Sequence, residues 1–153
     1  MYRKRVTLLV GHFGSGKTEI ALNGALELAA GGVRVTLADL DVVKPYFRSR
    51  SARAILSEAG IELLAPIGAN VHADLPIIVP QIRSHLRDSD RRLIMDVGGD
   101  EGGARVGGSR ADGVPFDDTA GLLVLTFRRP STPDPAHAVT MSLELVAVGR
   151  VSV

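Results

Sequence analysis

Cysteine is absent from the chain, so no disulfide and no thiolate-held metal or iron–sulfur cluster can form within it. The four histidines show no metal-ligand spacing. No apolar run reaches the length of a membrane-spanning helix, the longest being strand-sized. The basic start, Met1-Tyr2-Arg3-Lys4-Arg5, is not followed by a small-residue cleavage site, as a secretory signal would be. These absences predict a cytoplasmic chain. An excess of one charge is missing too: a net charge of +1 is too small to mark a general nucleic-acid binder. Two arginine clusters, at Arg48, Arg50 and Arg53 and at Arg83, Arg87, Arg91 and Arg92, read as solvated helix faces.

The chain does have core material. Its 153 residues are 45% hydrophobic, enough for one domain spanning 1–153, and neither a repeat nor a linker divides it. Near the start stands Gly11-His12-Phe13-Gly14-Ser15-Gly16-Lys17-Thr18, which fits the pattern G-x-x-x-x-G-K-[ST] of a phosphate-binding loop. Ahead of it, residues 6–10 are β-branched and apolar and predict a buried strand. Behind it, residues 19–30 are rich in helix formers and close on Gly31-Gly32. In that setting glycines let successive amides turn toward phosphate oxygens at a positive helix terminus. Lys17 adds a point charge for the β and γ phosphates, and the Thr18 hydroxyl is a ligand for Mg²⁺. The alternative is a strand-to-helix turn that holds no ligand.

Further along, residues 33–38 predict a second strand, which delivers Asp39-Leu40-Asp41 at its carboxyl end. Ligands of open parallel sheets gather at that end, although capping aspartates in a surface turn would give the same pattern. Residues 51–59 predict a helix stopped by Gly60, residues 61–64 a third strand, and residues 77–88 a helix with Pro80 in its first turn. His72 and Asp74 lie in the loop between them and read as turn residues. A fourth strand, 91–95, ends in Asp96-Val97-Gly98-Gly99: the carboxylate suits the shell of a magnesium ion, and Gly99 lets a peptide N–H approach a γ-phosphate. The glycine-rich stretch 100–113 is expected to be a loop at the place of a nucleotide switch, or else a disordered insertion. Residues 121–127 read as a fully apolar, central fifth strand. Beyond Arg128, prolines punctuate a loop and 136–148 suggests a helix followed by a short strand.

The loop, Asp39-Leu40-Asp41 and Asp96-Val97-Gly98-Gly99 together resemble the MinD/ParA/CobQ-CobB group of P-loop ATPases, within the signal-recognition and MinD-like superclass. Gly11 to Glu19, Asp39 to Arg50, Ala73-Asp74-Leu75-Pro76 and Asp96 to Arg105 look most like a bacterial branch of that group, over residues 6–130. The resemblance implies an α/β three-layer sandwich with a mostly parallel sheet in the order 3-2-4-1-5. It also implies ATP with Mg²⁺ at the sheet's carboxyl edge, a nucleotide-dependent homodimer and an unidentified protein partner. By that likeness Lys17 and Asp41 are the catalytic residues, Asp41 orienting the attacking water. Residues 11–18 and Gly99 hold the nucleotide, and Thr18, Asp39 and Asp96 surround the metal.

Three features depart from the group. His12 stands where MinD-type chains carry a second lysine, and Thr126 stands where relatives place an Asn near the base. The likeness also fades after Pro130, so that 131–153 reads as an atypical tail, with the last strands missing or altered, of a truncated chain. The resemblance therefore predicts a slow ATPase switch, ATP being favoured because no N-K-x-D guanine signature occurs. A small-molecule kinase or ligase resembling dethiobiotin synthetase, using Lys44, His72 and Asp74, and a truncated non-catalytic remnant are the competing expectations.

Overall fold

The computed structural model describes residues 2–40, 53–65, 80–97, 116–127, 133–140 and 143. Among them run strand β1 (Val6–Val10), helix α1 (Lys17–Ala30), strand β2 (Val35–Leu40), helix α2 (Arg53–Glu58) and strand β3 (Glu62–Leu64). Strand β4 (Arg92–Val97), a 3₁₀ turn (Phe116–Asp118) and strand β5 (Thr119–Leu123) follow. Helical backbone also covers 80–87 and 135–140.

The strands form one sheet in the order β3-β2-β4-β1-β5, and every pair in it is parallel. Parallel strands need crossover connections, so both faces of such a sheet are covered and its strands carry apolar residues on each side. Strands β1 and β2 are buried at every position, as is β4 after Arg92. Alternation sorts these residues onto two faces. On one, Val6, Leu8, Leu40, Leu93, Met95 and Val97 pack with Ile82 and Leu86 of segment 80–87. On the other, Leu9, Leu37 and Ile94 pack with Ala21 and Ala25 of α1 and Leu56 of α2.

Several element boundaries differ from expectation. Helix α1 begins at Lys17, inside the loop motif, and β2 and β4 run on through their aspartates. The fifth strand is displaced toward the N-terminus, at Thr119–Leu123 instead of 121–127. Its apolar run suggested a central strand, yet β5 pairs only with β1 among the described residues, and all five of its residues are half-buried. Apolarity here reflects packing on the sheet faces, which hydrophobicity alone cannot separate from centrality.

At the amino ends of the strands, Arg5 joins three elements. Its Nε lies 2.5 Å from Asp118 Oδ2, Nη2 donates to the Leu86 carbonyl at 2.9 Å and Nη1 to the Asp88 carbonyl at 3.1 Å. The guanidinium thus meets the carbonyls left over at the end of helical segment 80–87, where a cation is favoured. On the other face the Tyr2 ring lies over Gly24, where any side chain would collide with it, and its hydroxyl donates to the Ile20 carbonyl at 2.6 Å. Burial, and then the Glu27 carboxylate, raise the Tyr2 pKa above its ordinary 10.0. The contact is therefore fully present below pH 10 and is lost as pH rises through the raised value.

Replacing Arg5 by Ala is expected to lower stability by about 2 kcal/mol, because hydrogen bonds to a charged group are lost and carbonyls are left without a donor. Urea unfolding reads the loss, and hydrogen exchange should show segment 80–87 loosening before β1.

Candidate phosphate-binding site

The site grows out of the carboxyl ends of β1, β4 and β2. Chain direction forces the turn after Val10 to lie there, and the residue that starts it is constrained by its neighbour. A side chain at Gly11 would collide with the carbonyl oxygen of Val124, just past β5, whose amide in turn bonds the Val10 carbonyl at 2.8 Å. The loop tightens through the Ser15 amide, which donates to the His12 carbonyl at 3.1 Å. It ends at Gly16, whose φ of 94° and ψ of 13° place it in the left-handed region, and α1 begins there with no side-chain cap on its first amides. Those amides and the helix dipole suit an anion.

Lys17 is buried, and its ammonium donates to the Gly11 carbonyl at 2.9 Å and the His12 carbonyl at 3.1 Å. A buried ammonium needs such acceptors. Thr18 is buried as well, and its hydroxyl donates to Oδ2 of Asp96. Asp96 stands in β4 directly beside Asp39 in β2, and both are almost fully buried. By strand alternation both lie on the α1 face, alongside Leu9 and Ile94. One hydroxyl and two carboxylates, all hard oxygen donors, meet in this corner, and Mg²⁺ prefers such donors with phosphate and water completing its shell. Among the described residues no group of three or more His, Cys, Asp or Glu could hold a metal ion.

Of the residues singled out in the sequence, the structure brings together Gly11, His12, Gly14, Ser15, Gly16, Lys17, Thr18, Asp39 and Asp96; Phe13 is exposed in the same loop. Asp41 and Gly99 lie outside the described residues, as do Lys44, His72, Asp74 and the stretch 100–113. One site contact had no signal in the sequence: the Thr126 hydroxyl donates to the Ser15 carbonyl at 2.8 Å, a link across 111 positions.

A parallel sheet ordered 3-2-4-1-5, with a glycine-rich loop between its first strand and first helix and an acid closing the neighbouring strand, is the fold of P-loop NTPases. Among solved structures, the chain is similar to the signal recognition particle receptor FtsY from Elizabethkingia anophelis, with a TM-score of 0.61 and 21% sequence identity. The match covers 99% of this chain and 49% of that one, so the chain spans about half the length of this relative. At that identity the likeness concerns the fold alone. No protein-family model and no curated protein matches the chain. No helix among the described residues is long and apolar enough to cross a membrane.

The loop geometry separates two small substitutions. Ser15 Oγ is buried with no hydrogen-bond partner among the described residues, so Ser15→Ala is expected to leave stability unchanged or raise it by about 1 kcal/mol. Gly11→Ala, which meets the Val124 carbonyl, should lower it by about 1–3 kcal/mol. Urea midpoints of the two variants give the ranking, and the reverse order would contradict this loop geometry.

Proposed function

We propose that the chain is a magnesium-dependent P-loop ATPase working as a slow nucleotide switch. The observation that carries the reading is the hydrogen bond from Thr18, in the first turn of α1, to the buried Asp96 at the end of β4. It joins a phosphate-loop hydroxyl to an acid on the neighbouring strand, a pairing that suits a shared divalent cation.

In this reading the amides of residues 14–18 bind phosphate oxygens, and Lys17 leaves the Gly11 and His12 carbonyls to neutralise charge on the transferred phosphoryl group. Thr18, Asp39 and Asp96 would hold a magnesium ion, which would supply charge neutralisation to the bound phosphates. Asp41 positions the attacking water, and Gly99 offers its amide to the γ-phosphate. ATP is the nucleotide because the chain has no N-K-x-D sequence to read guanine. Contacts to the terminal phosphate then change a surface that meets a second copy or another protein.

Thermal unfolding with Mg-ATP, with Mg-GTP and without nucleotide tests this directly. At 100 times the dissociation constant, bound nucleotide adds about 2.7 kcal/mol, a rise of several degrees. The rise is expected with ATP, smaller with GTP and absent in Lys17→Ala. No shift with either nucleotide would contradict the proposal.

A further inference from the structure

Thr126 is half-buried three residues past the end of β5, and its hydroxyl donates to the Ser15 carbonyl at 2.8 Å. In a trans peptide the carbonyl of one residue and the N–H of the next point in opposite directions, and the described chain has no cis bond. Holding the Ser15 carbonyl therefore turns the Gly16 N–H away from Thr126. That N–H belongs to the residue that adopts the left-handed conformation before α1, so its direction is not enforced by helical hydrogen bonding.

The same segment already braces the start of the loop. Val124 donates its amide to the Val10 carbonyl at 2.8 Å, and its own carbonyl oxygen occupies the space that a side chain at Gly11 would need. Residues 124–126 thus contact the loop at both its first residue and its fifth. On the opposite side of β1 lies β4 with Asp96, which engages Thr18. The loop is held between the two strands that flank β1.

We propose that Thr126 is a positioning residue, which fixes the Ser15–Gly16 peptide so that the Gly16 amide is presented to phosphate before any ligand arrives. This rests on the reading of residues 11–18 as a nucleotide phosphate loop. Thr126 touches neither ligand nor metal in this account; it acts through Ser15. The hydroxyl is the operative group, so Ser should replace it and Val, which keeps the branched shape, should not.

The test uses the full chain as wild type, Thr126→Val and Thr126→Ser, with two readouts. Amide hydrogen exchange in the nucleotide-free protein is followed at residues 14–18 and, as a reference, at Leu8 and Leu9 of the buried β1. Equilibrium titration with Mg-ATP follows binding. Thr126→Val is expected to speed exchange of the Ser15 amide, which donates to the His12 carbonyl, by about 3- to 10-fold, and to weaken Mg-ATP by a similar factor, which is what one hydrogen bond is worth. Leu8 and Leu9 should be unchanged, and Thr126→Ser should behave as wild type. Equal exchange at Ser15 in all three proteins would overturn the inference, and so would a uniform acceleration that includes β1 or a failure of Ser to rescue. If the wild type binds no Mg-ATP, the functional reading falls, while the exchange data still decide whether Thr126 holds the loop.

Discussion

Lys17, Thr18, Asp39 and Asp96 are all withdrawn from water at the carboxyl ends of three adjacent strands, and none of these groups is tolerable there alone. An uncompensated buried charge costs several kcal/mol. The structure meets that cost locally, with loop carbonyls around the ammonium and a hydroxyl on the Asp96 carboxylate. Parallel register also sets Asp39 directly beside Asp96, two carboxyl groups on one face, an arrangement that a cation close by would favour. The rest of the sheet holds this corner in place.

Topology explains why the corner can exist. Strand β1 lies between β4 and β5, so the loop that leaves it is flanked on both sides. Strand β4 contributes an acid, and the chain leaving β5 contributes a carbonyl wall under Gly11 and the Thr126 hydroxyl. Helix α1 is packed on the sheet through Ala21 and Ala25, small residues that bring its first turn close to the strand ends. The site is thus built from a rigid sheet and a helix start, with the loop between them shaped by both neighbours. At the far end of the strands Arg5 ties β1 to Asp118 and to the end of segment 80–87, a contact that serves the fold and is remote from the loop.

The loop, the first strand and helix, and the acid ending β4 were legible in the sequence because their signals are local: glycine spacing, β-branched runs and an aspartate closing an apolar stretch. The strand order came from the resemblance and agrees with the sheet. The fifth strand differs in place from the sequence expectation, since the apolar run 121–127 continues past the point where the backbone leaves the ladder. Thr126 drew notice as a departure near the base, but its bond to Ser15 depends on a fold that joins positions far apart in sequence. Gly24 carried a signal that went unused. A glycine inside a helix works against propensity, and here it makes room for the Tyr2 ring.

The central claim is that Thr18, Asp39 and Asp96 act together on a divalent cation that arrives with nucleotide. Calorimetric titration of ATP into the wild type and Asp96→Asn, each with and without Mg²⁺ at matched ionic strength, measures this most directly. The account predicts one saturable site in the wild type whose affinity rises with Mg²⁺, and loss of that magnesium dependence in Asp96→Asn. Equal magnesium dependence in the two proteins, or ATP binding that is indifferent to Mg²⁺ in the wild type, would contradict it.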